Sequence, residues 1–228
     1  MKETATHRIM IVDDHPIVRR GLADLINDEP DLQVVGEAAS VAEAEQRLPE
    51  VAPDLALIDL SLGDGHGLEL IKHVRSNNLG IQMLVVSMAD EALYADRVLR
   101  AGASGYLRKD QATDHIVEAI HQVLGGRVYL SDTATTRVLN RVAGGSSARP
   151  AGGDALPAPS PIATLSDREL EVFEMLGDGM GSREIAERLH LSVKTVETYR
   201  EKIKGKLDLK NGNELTRHAI HHRMRGQL

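Results

Sequence analysis

The 228-residue sequence predicts an α/β domain, a five-stranded parallel sheet wound on both faces by helices, followed by a small all-α domain of four helices. Three observations carry this reading. Short apolar runs alternate five times with stretches of helical spacing, the composition changes abruptly near residue 141, and charge is divided unevenly about that point. Residues 1–140 hold 13 Lys and Arg against 22 Asp and Glu, whereas residues 160–228 hold 12 against 11, with four of the ten histidines. An acidic front and a mildly basic back make the overall charge of −7 a poor guide to what either part meets.

Ile9–Val12 comes first, apolar at every position, as suits a strand covered on both faces. Helical spacing follows over Ile17–Ile26, then a strand around Gln33–Val35, a helix over Val41–Leu48 and a strand at Leu55–Ile58. The pattern continues with a helix over Leu68–Val74, a strand at Ile81–Val86, a helix over Leu93–Leu99, a strand near Gly105–Leu107 and a helix near Thr113–Leu124. Repeated strand–helix–strand units make the sheet parallel. Residues 128–142 form an extension ending in one more helix, Asp132–Val142. Four of the eight prolines and four glycines then fall within 24 residues, Arg141–Thr164. Residues 143–161 are therefore read as a linker, and the whole stretch Arg141–Thr164 would have a root-mean-square span of about 25–30 Å if flexible. Four helical patterns close the chain: Ser166–Gly177, Ser182–His190, Val193–Leu207 and Asn213–Met224. Ser166 with Glu169 forms a capping box, Ser182 and Ser192 are expected N-caps, and Gly177, Gly179 and Gly212 are stop or turn signals.

The absence of cysteine excludes a disulfide framework and a thiolate zinc site. No apolar stretch approaches the ~20 residues of a membrane span, and Met1–Arg8 is polar, so a cytoplasmic protein without membrane contact is expected.

Ligands of open α/β sheets bind outside the carboxyl ends of the strands. Asp13 and Asp14 follow the first strand, Asp59 closes the third, Ser87 closes the fourth and Lys109 follows the fifth, so all five should line one crevice. Carboxylates crowded in this way either rise in pKa or share a cation. Mg²⁺ suits them, because it takes oxygen ligands and is completed by water or phosphate. A carboxylate beside it is a plausible nucleophile towards phosphorus, with Lys109 as point charge and Ser87 as hydroxyl donor. Further along, Ile185, Ala186 and Leu189 form one helical face and Val196, Ile203 and Leu207 another, with a tight break at Leu191–Ser192. Two short helices joined so closely read as a helix-turn-helix. Between Lys194 and Lys210 there are six basic residues against three acidic ones, enough for several phosphate contacts.

Through VDDHP (Val12–Pro16), LALIDLSL (Leu55–Leu62), VVS (Val85–Ser87) and GASGYLRK (Gly102–Lys109), residues 7–127 resemble the flavodoxin-like receiver domain of two-component response regulators. The resemblance implies that Asp59 accepts phosphate and that Asp13, Asp14, Asp59 and the Ser61 carbonyl hold Mg²⁺. It further implies that Ser87 and Lys109 bind the phosphoryl group, and that Tyr106 is an aromatic switch turning inward as the hydroxyl residue moves. Gly63 replaces a usual proline, which should loosen the loop after Asp59, and Met88 replaces a usual small residue. Ser61 and Ala89, at positions that tune dephosphorylation, are weak at orienting water, so slow acyl-phosphate hydrolysis is expected. His15 belongs to the ordinary DDHP string and, with His66, is read as solvated.

Within a final domain read as residues 162–228, residues 162 to about 217 resemble the LuxR-type output domain of the NarL/FixJ subfamily, through LSDRELEVFEML, SREIAERLHLSVKTVETYREKIKGKL and Leu209–Leu215. By resemblance Lys194 and Thr195 lie near DNA phosphates, Glu197, Thr198 and Glu201 occupy base-reading positions, and Tyr199, Arg200, Lys202 and Lys206 are backbone candidates. Glutamate at two base-reading positions departs from the lysines common there. It can accept from cytosine N4 or pair with Arg200 and Lys204 at i, i+3. The last helix should pack behind the recognition helix and, by resemblance, pair two output domains; its His218, His221 and His222 are read as solvated.

The expected function is a phosphorylation-dependent transcriptional regulator that takes phosphate from a histidine kinase and binds promoter DNA as a dimer, with RNA polymerase a further partner. No enzymatic turnover is expected beyond Mg²⁺-dependent self-phosphorylation and dephosphorylation. Two alternatives differ in class: a DNA-binding protein indifferent to phosphorylation, and a Mg²⁺-dependent aspartyl phosphohydrolase. The second would need a general acid and a substrate cap, which the sequence does not display.

Overall fold

The computed structural model describes residues 6–77, 79–143 and 161–225. The chain divides into two compact units, Met1–Ser146 and Ser147–Leu228. Apart from Ala143 and Pro161, the linker expected at 143–161 lies outside the described residues.

The first unit runs β1 (His7–Val12), α1 (Pro16–Asn27), β2 (Leu32–Ala38), α2 (Val41–Val51), β3 (Leu55–Ile58), β4 (Ser61–Leu62), β5 (Gly65–His66), α3 (Gly67–Ser76), β6 (Gln82–Ser87), α4 (Glu91–Ala101), β7 (Gly105–Arg108), α5 (Ala112–Leu124) and α6 (Asp132–Ala143). The main sheet has the order β2-β1-β3-β6-β7, and all its pairings are parallel. Strands β1 and β3 are buried because helices cover both faces: Ile9 and Leu55 face a cluster completed by Ile26, Ile116, Ile120 and Val123. Chain order reverses beside β1, with β2 on one side and β3 on the other, which opens a crevice at the carboxyl ends of these strands.

Several elements differ from the sequence-based expectation. Strand β2 runs on to Ala38, beside Val12 at the crevice, with a shift of register at Ile9/Met10. Helix α2 runs through Pro49 to Val51: a proline in the last turn removes one hydrogen bond near an end that Ala52, at φ +44°, closes by donating to the Leu48 carbonyl at 2.9 Å. The antiparallel pair β4–β5, with Ser61 opposite His66 and Leu62 opposite Gly65, was not anticipated, since two-residue arms carry no periodicity. The extension begins as a strap on the sheet edge. Tyr129 bridges Gly105 in parallel, and its carbonyl accepts the Tyr106 N–H at 2.8 Å before α6 packs on α4.

The second unit contains a 3₁₀ turn (Pro161–Thr164), α7 (Asp167–Gly177), α8 (Ser182–Arg188), α9 (Val193–Lys206) and α10 (Gly212–Arg225). Phe173, Leu170, Ile185, Val196, Ile203 and Leu215 are fully buried and form its core. Helix α10 lies chiefly on α7 and more lightly on α9. The α7 approach is close at Gly177, where a Cβ would stand 2.9 Å from the Ala219 carbonyl oxygen. His218 and His222 pack on the Phe173 ring, with centroids at 5.9 and 5.8 Å; His218 stays exposed beside that ring, whereas His222 is half-buried. Ser182 is not an N-cap: Gly181 takes that place, its N–H donating to Glu184 at 2.7 Å, and Ser182 becomes the first helical residue.

Ser166 and Glu169 form the expected capping box, and Glu169 also receives the Lys206 ammonium of α9 at 2.6 Å. Burial pushes the Glu169 carboxyl up, but Lys206 and the Ser166 bonds outweigh it and hold it below the ordinary carboxylate value. A depressed folded pKa contributes stability that is complete above the unfolded value and is lost as pH falls through the folded one. Glu169→Ala should therefore destabilise the second unit by about 1–2 kcal/mol at neutral pH. Calorimetry of the full chain should show this difference shrinking below the usual carboxylate range; a difference constant with pH would contradict the assignment.

Candidate functional site

The carboxyl ends of β1 and β3 deliver Asp13 and Asp59 to the same spot because the two strands are in register, Val12 opposite Ile58, and both carboxylates are buried. Lys109, just after β7, reaches across. Its ammonium lies 2.6 Å from Asp13 Oδ2 and 2.7 Å from Asp59 Oδ2. Ser87, at the end of β6, is buried at the same edge, and its hydroxyl oxygen accepts the Ala89 N–H at 3.4 Å. The Ser61 N–H donates to Asp59 Oδ1 at 3.2 Å. Thus Asp13, Asp59, Ser87 and Lys109 converge from four different strand ends, with Asp14 and Ser61 beside them.

Burial raises the Asp59 pKa, Lys109 opposes this, and Asp13 adds to it, leaving the carboxyl above its ordinary value. Burial acts on Lys109 in the lowering sense, but Asp59 and Asp13 overcome it, so the lysine remains a firm cation. Two carboxylates on one ammonium leave excess negative charge at this edge.

Among the described residues, Asp13, Asp14, His15 and Asp59 each offer one ligand atom within 4.8 Å of the others. Asp14 Oδ1 is buried and accepts no hydrogen bond of good geometry, although the His15 Nδ1 atom stands 2.6 Å away. A cluster of hard carboxylate oxygens, one lacking a well-directed donor, fits a small divalent cation better than a soft one.

Tyr106 is turned inward, 1% exposed, and its hydroxyl donates to the Ala89 carbonyl at 2.7 Å. This ties the aromatic ring to the loop that follows Ser87. Met88, by contrast, is 51% exposed. His66 departs from the solvated state expected of it. It is buried, stacks on Tyr94 with centroids 5.7 Å apart, and caps α3 by accepting the Leu68 N–H on Nδ1 at 3.1 Å. Arg19, which the sequence did not single out, donates to the Asp13 carbonyl at 2.6 Å and pairs with Glu37, holding the β1–α1 loop in place.

In the second unit α8 and α9 are joined through His190, at φ +53°, and the Leu191 N–H donates to the Ala186 carbonyl at 2.8 Å, which tightens the turn. Ser192 caps α9, accepting the Thr195 N–H at 3.1 Å. With Val196 and Ile203 inward, Lys194, Glu197, Thr198, Glu201 and Lys202 are exposed. Both glutamates are paired within the helix, Glu201 with Lys204 at 2.8 Å and Glu197 more loosely with Arg200 at 3.8 Å. Arg200 also donates to Ser182 at 2.6 Å, and Lys206 is bound to Glu169, so these two cations brace α9 against its neighbours.

A buried aspartate–lysine crevice on a doubly wound sheet, carried in one chain with a helix-turn-helix, defines a class. The chain belongs to the two-component response regulators that join a receiver domain to a LuxR-type output domain: the response regulator receiver domain family matches residues 9–121, and the bacterial regulatory proteins of the luxR family match residues 163–219. It is 35% identical over 214 residues to the oxygen regulatory protein NreC of Staphylococcus carnosus (strain TM300), covering 93% of this chain and 96% of that protein. The NreC of Staphylococcus aureus (strain JH9) is 36% identical over the same extent. A LuxR-family two-component response regulator from Aurantimonas sp. SI85-9A1 superposes with a TM-score of 0.56 at 36% identity, covering 61% of this chain and 99% of that one. RcsB of Salmonella typhimurium, at 23% identity, shares the fold with a TM-score of 0.71 over 95% of this chain and 98% of its own. No helix among the described residues is long and apolar enough to cross a membrane.

Proposed function

We propose that this response regulator is switched by phosphorylation of Asp59 and binds promoter DNA as a dimer through α9. The observation that carries this reading is the Lys109 ammonium between two buried carboxylates, 2.6 Å from Asp13 and 2.7 Å from Asp59. A histidine kinase supplies the phosphoryl group. An Asp59 oxygen attacks phosphorus, the O–P bond forms as the N–P bond to imidazole breaks, and the imidazole leaves with the electron pair and takes a proton from solvent. Asp13, Asp14, Asp59 and the Ser61 carbonyl would hold Mg²⁺, which would supply positive charge to the phosphoryl oxygens. Lys109 turns its ammonium to the same oxygens, and Ser87 donates its hydroxyl. Recruitment of Ser87 acts on the adjoining Ala89 carbonyl, and through it on Tyr106. With Ser61 and Ala89 poor at orienting water, the acyl phosphate is slow to hydrolyse.

Lys194, Thr195, Tyr199 and Lys202 contact DNA phosphates, while Glu197, Thr198 and Glu201 face base edges. Arg200 and Lys206 are already engaged by Ser182 and Glu169, so their phosphate contacts draw on their remaining N–H donors. The protein works in the cytoplasm, with RNA polymerase as a partner at the promoter.

Selection of bound sequences from random double-stranded DNA, with and without acetyl phosphate and Mg²⁺, tests the whole reading. A defined operator should emerge, repeated with two-fold symmetry and bound more tightly when the phosphodonor is present. Failure of any sequence to enrich under either condition would reject DNA recognition; enrichment indifferent to the phosphodonor would reject the switch.

A further inference from the structure

The loop after Asp59 contains an anchor that none of the roles above uses. Helix α2 begins with three N–H groups that no carbonyl of its own can satisfy. Ser40, its N-cap, accepts the Glu43 N–H at 3.1 Å. The other two go to Asp64, a residue more than 20 positions away in sequence: Oδ1 accepts the Val41 N–H at 2.8 Å and Oδ2 accepts the Ala42 N–H at 3.1 Å. A carboxylate at a helix N-terminus is favoured by the helix dipole as well as by the two hydrogen bonds.

Asp64 sits with Gly63 at the tip of the β4–β5 hairpin, whose first arm starts at Ser61, two residues from Asp59. On one side of the tip, a Cβ at Gly65 would lie 3.1 Å from Val41, so the hairpin is laid directly against α2. On the other, a Cβ at Gly63 would lie 3.7 Å from Asp14 Oδ2. The base of the hairpin is held separately by His66, through its ring contact with Tyr94 and its cap on α3. The glycine at position 63 leaves the backbone of this loop free to move, and the bidentate bond from Asp64 removes that freedom.

We propose that Asp64 is a positioning residue for the phosphorylation site: by clamping the hairpin tip to α2 it fixes the Ser61 backbone and the wall beside Asp14 in the arrangement that binds Mg²⁺. This rests on the Mg²⁺-dependent reading of Asp59 given above. The clamp acts through geometry, because Asp64 itself is spent on two backbone N–H groups.

The test measures Mg²⁺ binding to the unphosphorylated full-length protein by titration calorimetry, with amide exchange across residues 61–66 followed in parallel. Asp64→Ala should weaken Mg²⁺ binding about tenfold, the loss typical when an outer-shell support of a metal site is removed, and should speed exchange in the hairpin. Asp64→Asn, which keeps one acceptor, should fall between. Ser40→Ala is the control: it removes a different cap from the same helix, so it should lower Tm while leaving Mg²⁺ affinity unchanged. Wild-type affinity in Asp64→Ala, or an equal loss in Ser40→Ala, would overturn the proposal while leaving Asp59 chemistry intact. Wild-type protein that binds Mg²⁺ nowhere near Asp59, or takes up no phosphoryl group from acetyl phosphate, would instead remove the underlying reading and the proposal with it.

Discussion

Asp59→Asn should reduce phosphoryl incorporation from acetyl phosphate to background and abolish the phosphodonor-dependent gain in operator affinity. That gain is expected at about 5- to 150-fold in the wild type, the usual range of a coupling between two sites. The amide keeps the shape of the side chain, and its oxygen can still accept the Ser61 N–H that reaches Asp59 at 3.2 Å. What disappears is the nucleophile, together with one of the two carboxylates on Lys109. Fold loss is not the expected cause. The Asp59 pKa is raised by burial, with Asp13 adding to it against the pull of Lys109, so its charged form is disfavoured in the folded, metal-free protein. A group with a raised folded pKa costs stability above its unfolded value. The Tm of metal-free Asp59→Asn at neutral pH should accordingly equal or exceed that of the wild type. Intact-mass measurement of phosphorylation, thermal melts and operator titrations check the three parts. An undiminished response of DNA binding to phosphodonor would place the switch elsewhere, and an operator affinity already independent of phosphodonor in the wild type would favour the alternative in which the receiver serves only as a platform.

The sheet, its helices and the convergence of Asp13, Asp59, Ser87 and Lys109 were legible because each strand is an apolar run ending at a polar residue, and parallel topology sends every such end to one edge. The helix-turn-helix was legible for a similar reason: caps and apolar spacing at Ser166, Ser192, Val196 and Ile203 all agree. What escaped is long-range side-chain partnership. Asp64 reads as a turn residue between two glycines, and nothing local says that its carboxylate will cap a helix more than 20 residues upstream. His66 reads as a polar residue in a loop, yet Tyr94 stacks on it. Lys206 and Arg200 read as candidates for DNA-backbone contact on a basic helix, and nothing local shows that Glu169 and Ser182, both on other helices, bind them. Gly63 reads as a loosened loop because the proline it replaces stiffens the backbone locally, and the compensating bond is made to the far end of the preceding helix, at the N-terminus of α2.

Gly67→Ala should be the most disruptive small substitution in the receiver. A Cβ there would stand 2.1 Å from the Asp59 carbonyl oxygen, 2.9 Å from the Asp59 carbonyl carbon and 3.0 Å from Ile58 Cγ2. Two of the three are backbone atoms of Asp59, so no rotamer change relieves the clash. Gly67 also donates its N–H to the Leu60 carbonyl at 2.9 Å, which holds the start of α3 against the end of β3. One methyl group must push α3 away, break that bond or displace Asp59. Overpacking of this kind costs about 3 kcal/mol or more. For a domain of this size that corresponds to a Tm lowered by roughly 12 °C or more. Displacement of Asp59 from Lys109 should slow phosphorylation even in the fraction that remains folded. Gly21→Ala separates this steric effect from any general cost of adding a side chain. A Cβ at Gly21 meets nothing within 4 Å, and the residue lies inside α1. Alanine there should raise stability by about 0.5–1 kcal/mol through helix propensity and reduced unfolded-state entropy. Melting curves of the two variants should therefore move in opposite directions; a Gly67→Ala receiver as stable as the wild type would mean that α3 and β3 approach less closely than 2.1 Å implies.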